Sequence, residues 1–321
     1  MSTNPAVRAE SLTKVFSGGA GVFDLDMEVE PGSIVGLIGP SGSGKTTTVR
    51  LLTGLLTPDS GTVRVLGERP IEFSRETRAK LGYMPQDSVL YPGLTIRQNL
   101  DFAGTVFGMR KGRGDRIERL LDFFELTEIA DRMPHKVSGG ERRRASLAAT
   151  LIHNPMLIFL DEPTAGLDPV LRRKLWDMFE DLAKDDGRTL VVTTQYVGEA
   201  AYCDYVAVLA EGRILILDTP GGLRRHAYGG ELVDVVFSAR PSPVALDHLA
   251  SISARSEPIW IDARSLRVVV DDAGAAVPRL ADWAGDNGLV IEKVEAYTPP
   301  FDDIFVEVVE KYSRSKELEA V

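Results

Sequence analysis

The segment that most restricts the fold of this chain is GPSGSGKTTT, residues 39–48, set between an apolar run and a helix-forming one. Ile34–Ile38 has the length and apolar character of a buried strand, and TTVRLLTGLL, residues 47–56, has those of a helix. Gly39, Gly44, Lys45 and Thr46 satisfy the pattern G-x-x-x-x-G-K-[ST]. Strand, glycine-rich turn and helix in that order aim successive backbone N–H groups and the positive end of the helix into one concavity, which is an anion site. Glycine permits close backbone approach, Lys45 places a point charge on the β and γ phosphates of a nucleotide, and the Thr46 hydroxyl is a ligand for Mg²⁺. Gly39, Pro40, Ser41, Gly42, Ser43, Gly44, Lys45, Thr46 and Thr47 are the candidate phosphate-binding residues.

Such a loop needs a parallel sheet behind it, and two further apolar runs bounded by turn residues supply one: LIFL at 157–160 and TLVVTT at 189–194. The first continues as LIFLDEP and delivers Asp161 to the carboxyl edge of the sheet, where open α/β sheets bind ligands. Two adjacent carboxylates there need different tasks. Asp161 is the candidate magnesium-holding residue, and Glu162 is the candidate that orients or deprotonates an attacking water. Away from a phosphate loop, an Asp-Glu pair ending a strand is ordinarily a solvated turn.

The rest of the chain falls into three patterns. Between Leu12 and Leu66, short alternating runs such as FDLDMEVE and TVRVLG suit an antiparallel sheet flanking the core. Residues 87–154 turn helical, and RIERLLDFFEL places Ile117, Leu120, Leu121 and Phe124 on one face. After Pro220 the strand-like runs ELVDVVF, PIWI, LRVVV and LVIEKVEA surround a helical segment at 277–284. These patterns predict a first domain over 1–220 and a smaller α+β domain over 221–321. The latter ends in a helix with Asp302 and Asp303 in its first turn and Phe301, Ile304, Phe305 and Val308 on its buried stripe.

Composition narrows the function classes. The 321 residues carry 44% hydrophobic and 26% charged side chains without a run near the ~20 apolar residues of a membrane helix, so a soluble, cytoplasmic chain is expected. A net charge of −10 argues against nucleic acid as a partner, and the one tight basic cluster, Arg142, Arg143 and Arg144, reads as a solvated helix face with no direct role. The single cysteine, Cys203, excludes an internal disulfide and reads as a packing residue.

Val137–Glu141 reads VSGGE and lies, by its Ser138, 23 residues before Asp161. With the phosphate loop and LIFLDEP, it makes the first domain resemble the ABC ATPase family, whose signature is LSGGQ. Gln86 in YMPQD is similar to that family's Q-loop, and AGLD, ending at Asp168, to its D-loop. The resemblance implies an α/β fold with a P-loop NTPase core, a flanking antiparallel β-subdomain and a helical subdomain, to which the small C-terminal α+β domain is added. It implies ATP and Mg²⁺ as cofactors, with Thr46, Gln86 and Asp161 around the metal and Glu162, Gln86, Gln195 and Lys45 in catalysis. It also implies a second ATPase subunit paired head to tail, so that Ser138, Gly139 and Gly140 bind the γ-phosphate held by the other copy. Without the resemblance, SGGE is a turn that caps the following helix. Phe16, 29 residues before Lys45, occupies the place of the family's adenine-stacking aromatic.

Two residues depart from the family pattern. Glu141 replaces the signature glutamine, and Gln195 stands where a switch histidine contacts the γ-phosphate; an amide can donate there but cannot become cationic. The stretch from Asp87 to Gly104 and the close at Pro300–Phe305, where Phe301 and Asp302 replace the commoner leucine and glutamate, look like the drug-resistance exporter branch of daunorubicin-type systems. That similarity implies a motor working with a membrane-spanning permease on a separate chain, at the cytoplasmic face of the membrane. The alternatives within the family are an importer or polysaccharide-exporter motor and a non-transport ATPase. The C-terminal domain would serve dimerisation, regulation or packing alone.

Overall fold

The computed structural model describes residues 4–87, 89–249, 253 and 258–319, so Ser88 of the exporter-like stretch lies outside it. The chain divides into two compact units, Met1–Leu217 and Asp218–Val321, meeting three residues before the boundary expected at Pro220.

The first unit holds two sheets. β1 (Val7–Val15), β2 (Gly21–Val29) and β4 (Ser60–Val65) form an antiparallel sheet in the order β2-β1-β4. Its strands alternate between buried and exposed residues, as expected of a sheet with one covered face. The second sheet has six strands. β3 (Ile34–Ile38) lies between β7 (Thr189–Thr194) and β8 (Tyr205–Ala210), with β6 (Leu157–Asp161) and β5 (Leu81–Met84) beyond β7 and β9 (Arg213–Asp218) beyond β8. The strands from β5 to β8 run parallel. Every residue of β3, β6 and β7 is buried, which is why these strands read as continuous apolar runs. β9 returns from β8 through Glu211 and Gly212, both at positive φ, the backbone a two-residue hairpin needs.

α1 (Lys45–Leu52) follows the phosphate loop but stops four residues before the expected end at Leu56. Gly54, at φ 75°, turns the chain there, and a Cβ would lie 2.4 Å from the Pro70 carbonyl oxygen. α2 (Arg75–Lys80) precedes β5. The helical insertion consists of α3 (Ile96–Val106), α4 (Arg113–Phe123) and α5 (Gly139–Leu151). Ile117, Leu120, Leu121 and Phe124 are all buried, the face expected from their spacing. α6 (Pro169–Lys184) lies between β6 and β7 and buries Trp176 and Phe179, ring edge to ring face at 5.5 Å. Cys203 is buried against Gly36, and burial pushes its thiol pKa far up, so it is an inert packing residue.

In the second unit, α7 (Pro220–Tyr228) precedes a four-stranded antiparallel sheet ordered β11-β12-β10-β13: β10 (Glu231–Phe237), β11 (Ile259–Trp260), β12 (Ser265–Val270) and β13 (Ile291–Tyr297). α8 (Pro243–Leu249) and α9 (Ala273–Asp286) cover it around Phe237, Leu280 and Trp283. On this sheet Arg267 holds Asp234 through two bonds of 2.7 and 2.8 Å, and its guanidinium lies over the Tyr297 ring. α10 (Phe301–Glu319) buries Ile304 and Val308 fully, while Phe301 and Phe305, expected on the same stripe, are only half-buried.

Candidate functional site

The phosphate loop leaves β3 with no room for side chains at its first turn. A Cβ on Gly39 would sit 2.2 Å from the Leu209 carbonyl oxygen, and Gly44, at φ 104°, adopts a backbone that side chains rarely tolerate. The Ser43 N–H donates to the Pro40 carbonyl at 3.2 Å, which closes the loop, and its hydroxyl is buried without a partner among the described residues. Lys45 is 5% exposed, and its ammonium donates to the carbonyls of Gly39 at 2.7 Å and Pro40 at 2.9 Å. Burial pulls its pKa down, opposed by the charges of Glu162 and Asp161. Pro40, Ser41 and Gly42 are exposed on the rim, with Thr46 and Thr47 half-buried behind them.

Asp161 ends β6 fully buried. Its Oδ1 accepts from the Thr46 hydroxyl at 3.1 Å and from the Thr193 hydroxyl at 2.5 Å, while Oδ2 has no partner among the described residues. A buried carboxylate oxygen left open beside a hydroxyl is a donor set that suits a hard divalent cation, so Thr46 and Asp161 fit Mg²⁺. The next residue, Glu162, is half-buried and takes φ 51°. That left-handed backbone is uncommon for a non-glycine residue and gathers at functional sites. Its N–H donates to the Thr193 carbonyl at 3.1 Å and to the Thr193 hydroxyl at 2.9 Å. Thr193, directly opposite Asp161 in the parallel register, thus braces both carboxylate residues, a role the sequence did not disclose.

Ser138 caps α5 and forms a reciprocal pair with Glu141: Glu141 N–H to the Ser138 hydroxyl at 3.2 Å, and Ser138 N–H to a Glu141 carboxylate oxygen at 2.6 Å. The backbone N–H of Ser138 is the largest cause holding the Glu141 carboxyl below the usual carboxylate range. Glu141 is therefore the third residue of a capping box, a place that glutamine also fills, as Gln98 does for Thr95 at the start of α3. Gly139 is open, and a Cβ on Gly140 would touch only Leu167, so the signature lies against the turn before Asp168. Asp168 caps α6, accepting from the N–H groups of Val170 and Leu171, both at 3.0 Å.

Phe16 is 41% exposed in the turn between β1 and β2, where its N–H donates to the Ala20 carbonyl at 2.8 Å. Gly21 and Val22, just beyond, would meet a Cβ on Gly44, so this turn lies beside the phosphate loop. Gln86 and Gln195 both have exposed side chains.

The expectation for Arg142–Arg144 fails. None of the three is a solvated side chain: Arg142 donates to the Pro134 carbonyl at 3.5 Å, Arg144 to that of Phe124 at 2.8 Å, and Arg143 to four carbonyls at the edge of the site. These contacts span the sequence and leave no trace in local charge pattern.

A family profile described as ABC transporter matches residues 22–165. Over 305 residues the chain is 37% identical to the daunorubicin resistance ATP-binding protein DrrA2 of Streptomyces coeruleorubidus, covering 94% of each protein. It is 36% identical to the Nod factor export ATP-binding protein I of Paraburkholderia xenovorans, covering 87% of this chain and 90% of that one. Among solved structures, an ATP-binding subunit of an ABC transporter aligns with a TM-score of 0.64 at 27% identity, over 69% of this chain and 92% of that one. The dimeric post-hydrolysis state of the ATP-binding cassette MJ0796, bound to ADP and Pi, aligns with a TM-score of 0.62 at 26% identity, over 66% and 98%.

Proposed function

Since this chain belongs to the ABC transporter ATP-binding family and is an ATPase subunit, we propose that it drives export of small amphipathic compounds through a permease carried on a separate chain. The observation that carries the reading is the Asp161–Glu162 corner beside Lys45: one carboxylate fully buried with an open oxygen, the next half-buried on a strained backbone. Export rather than import rests on the relatives in drug resistance and Nod factor export.

Lys45 and the loop N–H groups bind the β and γ phosphates, and Phe16 offers its exposed ring to the adenine. Thr46 and Asp161, joined by the Gln86 amide, would hold Mg²⁺, which would neutralise phosphate charge. Glu162 orients the attacking water and accepts its proton. Ser138, Gly139 and Gly140 of a second copy close over the γ-phosphate, and Asp168 stands at the seam between copies. The two copies would close over two bound ATP molecules and part after hydrolysis.

The force reaches the permease through the helical insertion. Val89, Tyr91, Phe102 and Val106 expose large apolar surface around a cavity of about 240 Å³, and Tyr91 meets Phe102 at 4.7 Å. A permease helix on the cytoplasmic side would fill it. No helix among the described residues is long and apolar enough to cross a membrane. The C-terminal unit, with its own core, serves dimerisation or regulation.

Gln195 sets the rate within this scheme. Its exposed amide donates one hydrogen bond to the γ-phosphate, and losing a bond of ~1.5 kcal/mol to a charged group lowers turnover about 10-fold. Phosphate release by the purified Gln195→Ala protein measures this, and turnover equal to the unaltered chain would leave residue 195 as a spacer. Co-expression with a candidate permease tests the larger claim: export of an amphipathic dye should depend on the permease and on an intact Glu162. Dye efflux unaffected by either would remove the export role.

A further inference from the structure

Arg142 and Arg144 bond within the helical insertion, to Pro134 and to Phe124 and Glu125. Arg143, between them, instead crosses to the catalytic edge of the sheet. Its Nε donates to the Pro163 carbonyl at 3.3 Å, its Nη2 to the carbonyls of Asp161, at 2.7 Å, and Glu162, and its Nη1 to the carbonyl of Gln86. A guanidinium presents five N–H donors in a fixed fork, so one side chain can hold three successive carbonyls of one turn and a fourth from another loop. Arg143 is half-buried, so these bonds are partly shielded from competing water.

The turn it holds is the one that takes Glu162 into the left-handed region. Thr193 fixes the N–H side of that residue, and Arg143 fixes its carbonyl side. A backbone conformation that is costly by itself persists where both flanking peptide groups are pinned. The same arginine belongs to α5, whose cap is Ser138, and it also fixes the backbone of Gln86. Its contacts therefore join the signature helix, the Gln86 loop and the Glu162 turn.

We infer that Arg143 is a positioning residue: it sets the Glu162 carboxylate for reaction and transmits movement of the signature helix to Glu162 and Gln86. This rests on the reading of Glu162 as the catalytic carboxylate. The bonds of Arg143 go to four backbone carbonyls and to no residue of the phosphate loop. Its removal therefore leaves ATP binding in place and slows the chemical step, since misplacing a reacting group by about 1 Å costs on the order of 10²-fold in rate.

The test uses the full-length chain and a double-mutant cycle. Arg143→Ala should lower kcat by about 10²-fold, with KM for ATP and the melting temperature little changed. Arg143→Lys keeps the charge but cannot span four carbonyls, and should fall between the two. In a Glu162→Gln background, Arg143→Ala should slow turnover by far less than it does in the unaltered chain, because the carboxylate it positions is already gone and only its hold on Gln86 remains to be lost. An undiminished kcat in Arg143→Ala overturns the proposal. So does a full additional loss on top of Glu162→Gln, or a loss explained by a lowered melting temperature with ATP affinity falling in parallel. Should Glu162→Gln itself hydrolyse ATP normally, the catalytic assignment of Glu162 fails first and the proposal with it. If Arg143→Ala melts too low to assay, an unimpaired Arg143→Lys with additive behaviour overturns it equally.

Discussion

Lys45→Ala abolishes measurable ATP binding, with Kd raised at least ~10²-fold, the scale of truncating one member of a buried, hydrogen-bonded charged pair. The ammonium lies at the base of the phosphate loop, tied to the carbonyls of Gly39 and Pro40, with Asp161 and Glu162 near enough to oppose the downward pull of burial on its pKa. Alanine takes away the point charge proposed to meet the phosphates and leaves both loop carbonyls without that donor. Because the charge serves bound substrate and transition state alike, affinity and turnover fall together. Titration calorimetry with ATP is the direct measurement, and a Kd within threefold of the unaltered chain would sink the assignment.

Glu162→Gln separates binding from chemistry. Glutamine has nearly the same shape, keeps the N–H bonds to Thr193 and the carbonyl bond to Arg143, and changes only the carboxylate. ATP affinity should stay close to normal while turnover drops ~10²- to 10⁴-fold, the range for losing a general base or water-positioning group. The stalled protein should accumulate as an ATP-bound dimer on size-exclusion chromatography. A variant that turns over at the ordinary rate would refute the role of Glu162.

The parts of this molecule that were legible in the sequence are those whose causes are local. The loop from Gly39 to Thr46, the strand ending at Asp161 and the apolar face of Ile117, Leu120 and Leu121 each declare themselves within a few residues, because spacing and residue type set their backbone and burial. The end of α1 escaped because it depends on Pro70, which closes over Gly54 from elsewhere in the chain. Glu141 showed as a departure from the family pattern, while SGGE read apart from that pattern was a cap of the following helix; that cap is formed, through a backbone N–H three residues before Glu141. Arg143 and Thr193 escaped for a deeper reason. Arg143 reaches Gln86 across 57 positions, and Thr193 reaches Asp161 across 32, so only the folded sheet brings them together.

The left-handed backbone of Glu162 has an evolutionary reading. A non-glycine side chain in that region costs about 1–2 kcal/mol, whereas glycine enters it freely and gives back roughly 0.5–1 kcal/mol through the added freedom of its unfolded chain. Glu162→Gly should therefore melt no lower than the natural protein, and up to a few degrees higher, while being unable to hydrolyse ATP. Selection for stability alone would favour losing this side chain. If Glu162 is the catalytic carboxylate, selection on turnover is what holds a glutamate at this position, and a lineage released from hydrolysing ATP would lose it without penalty to its fold.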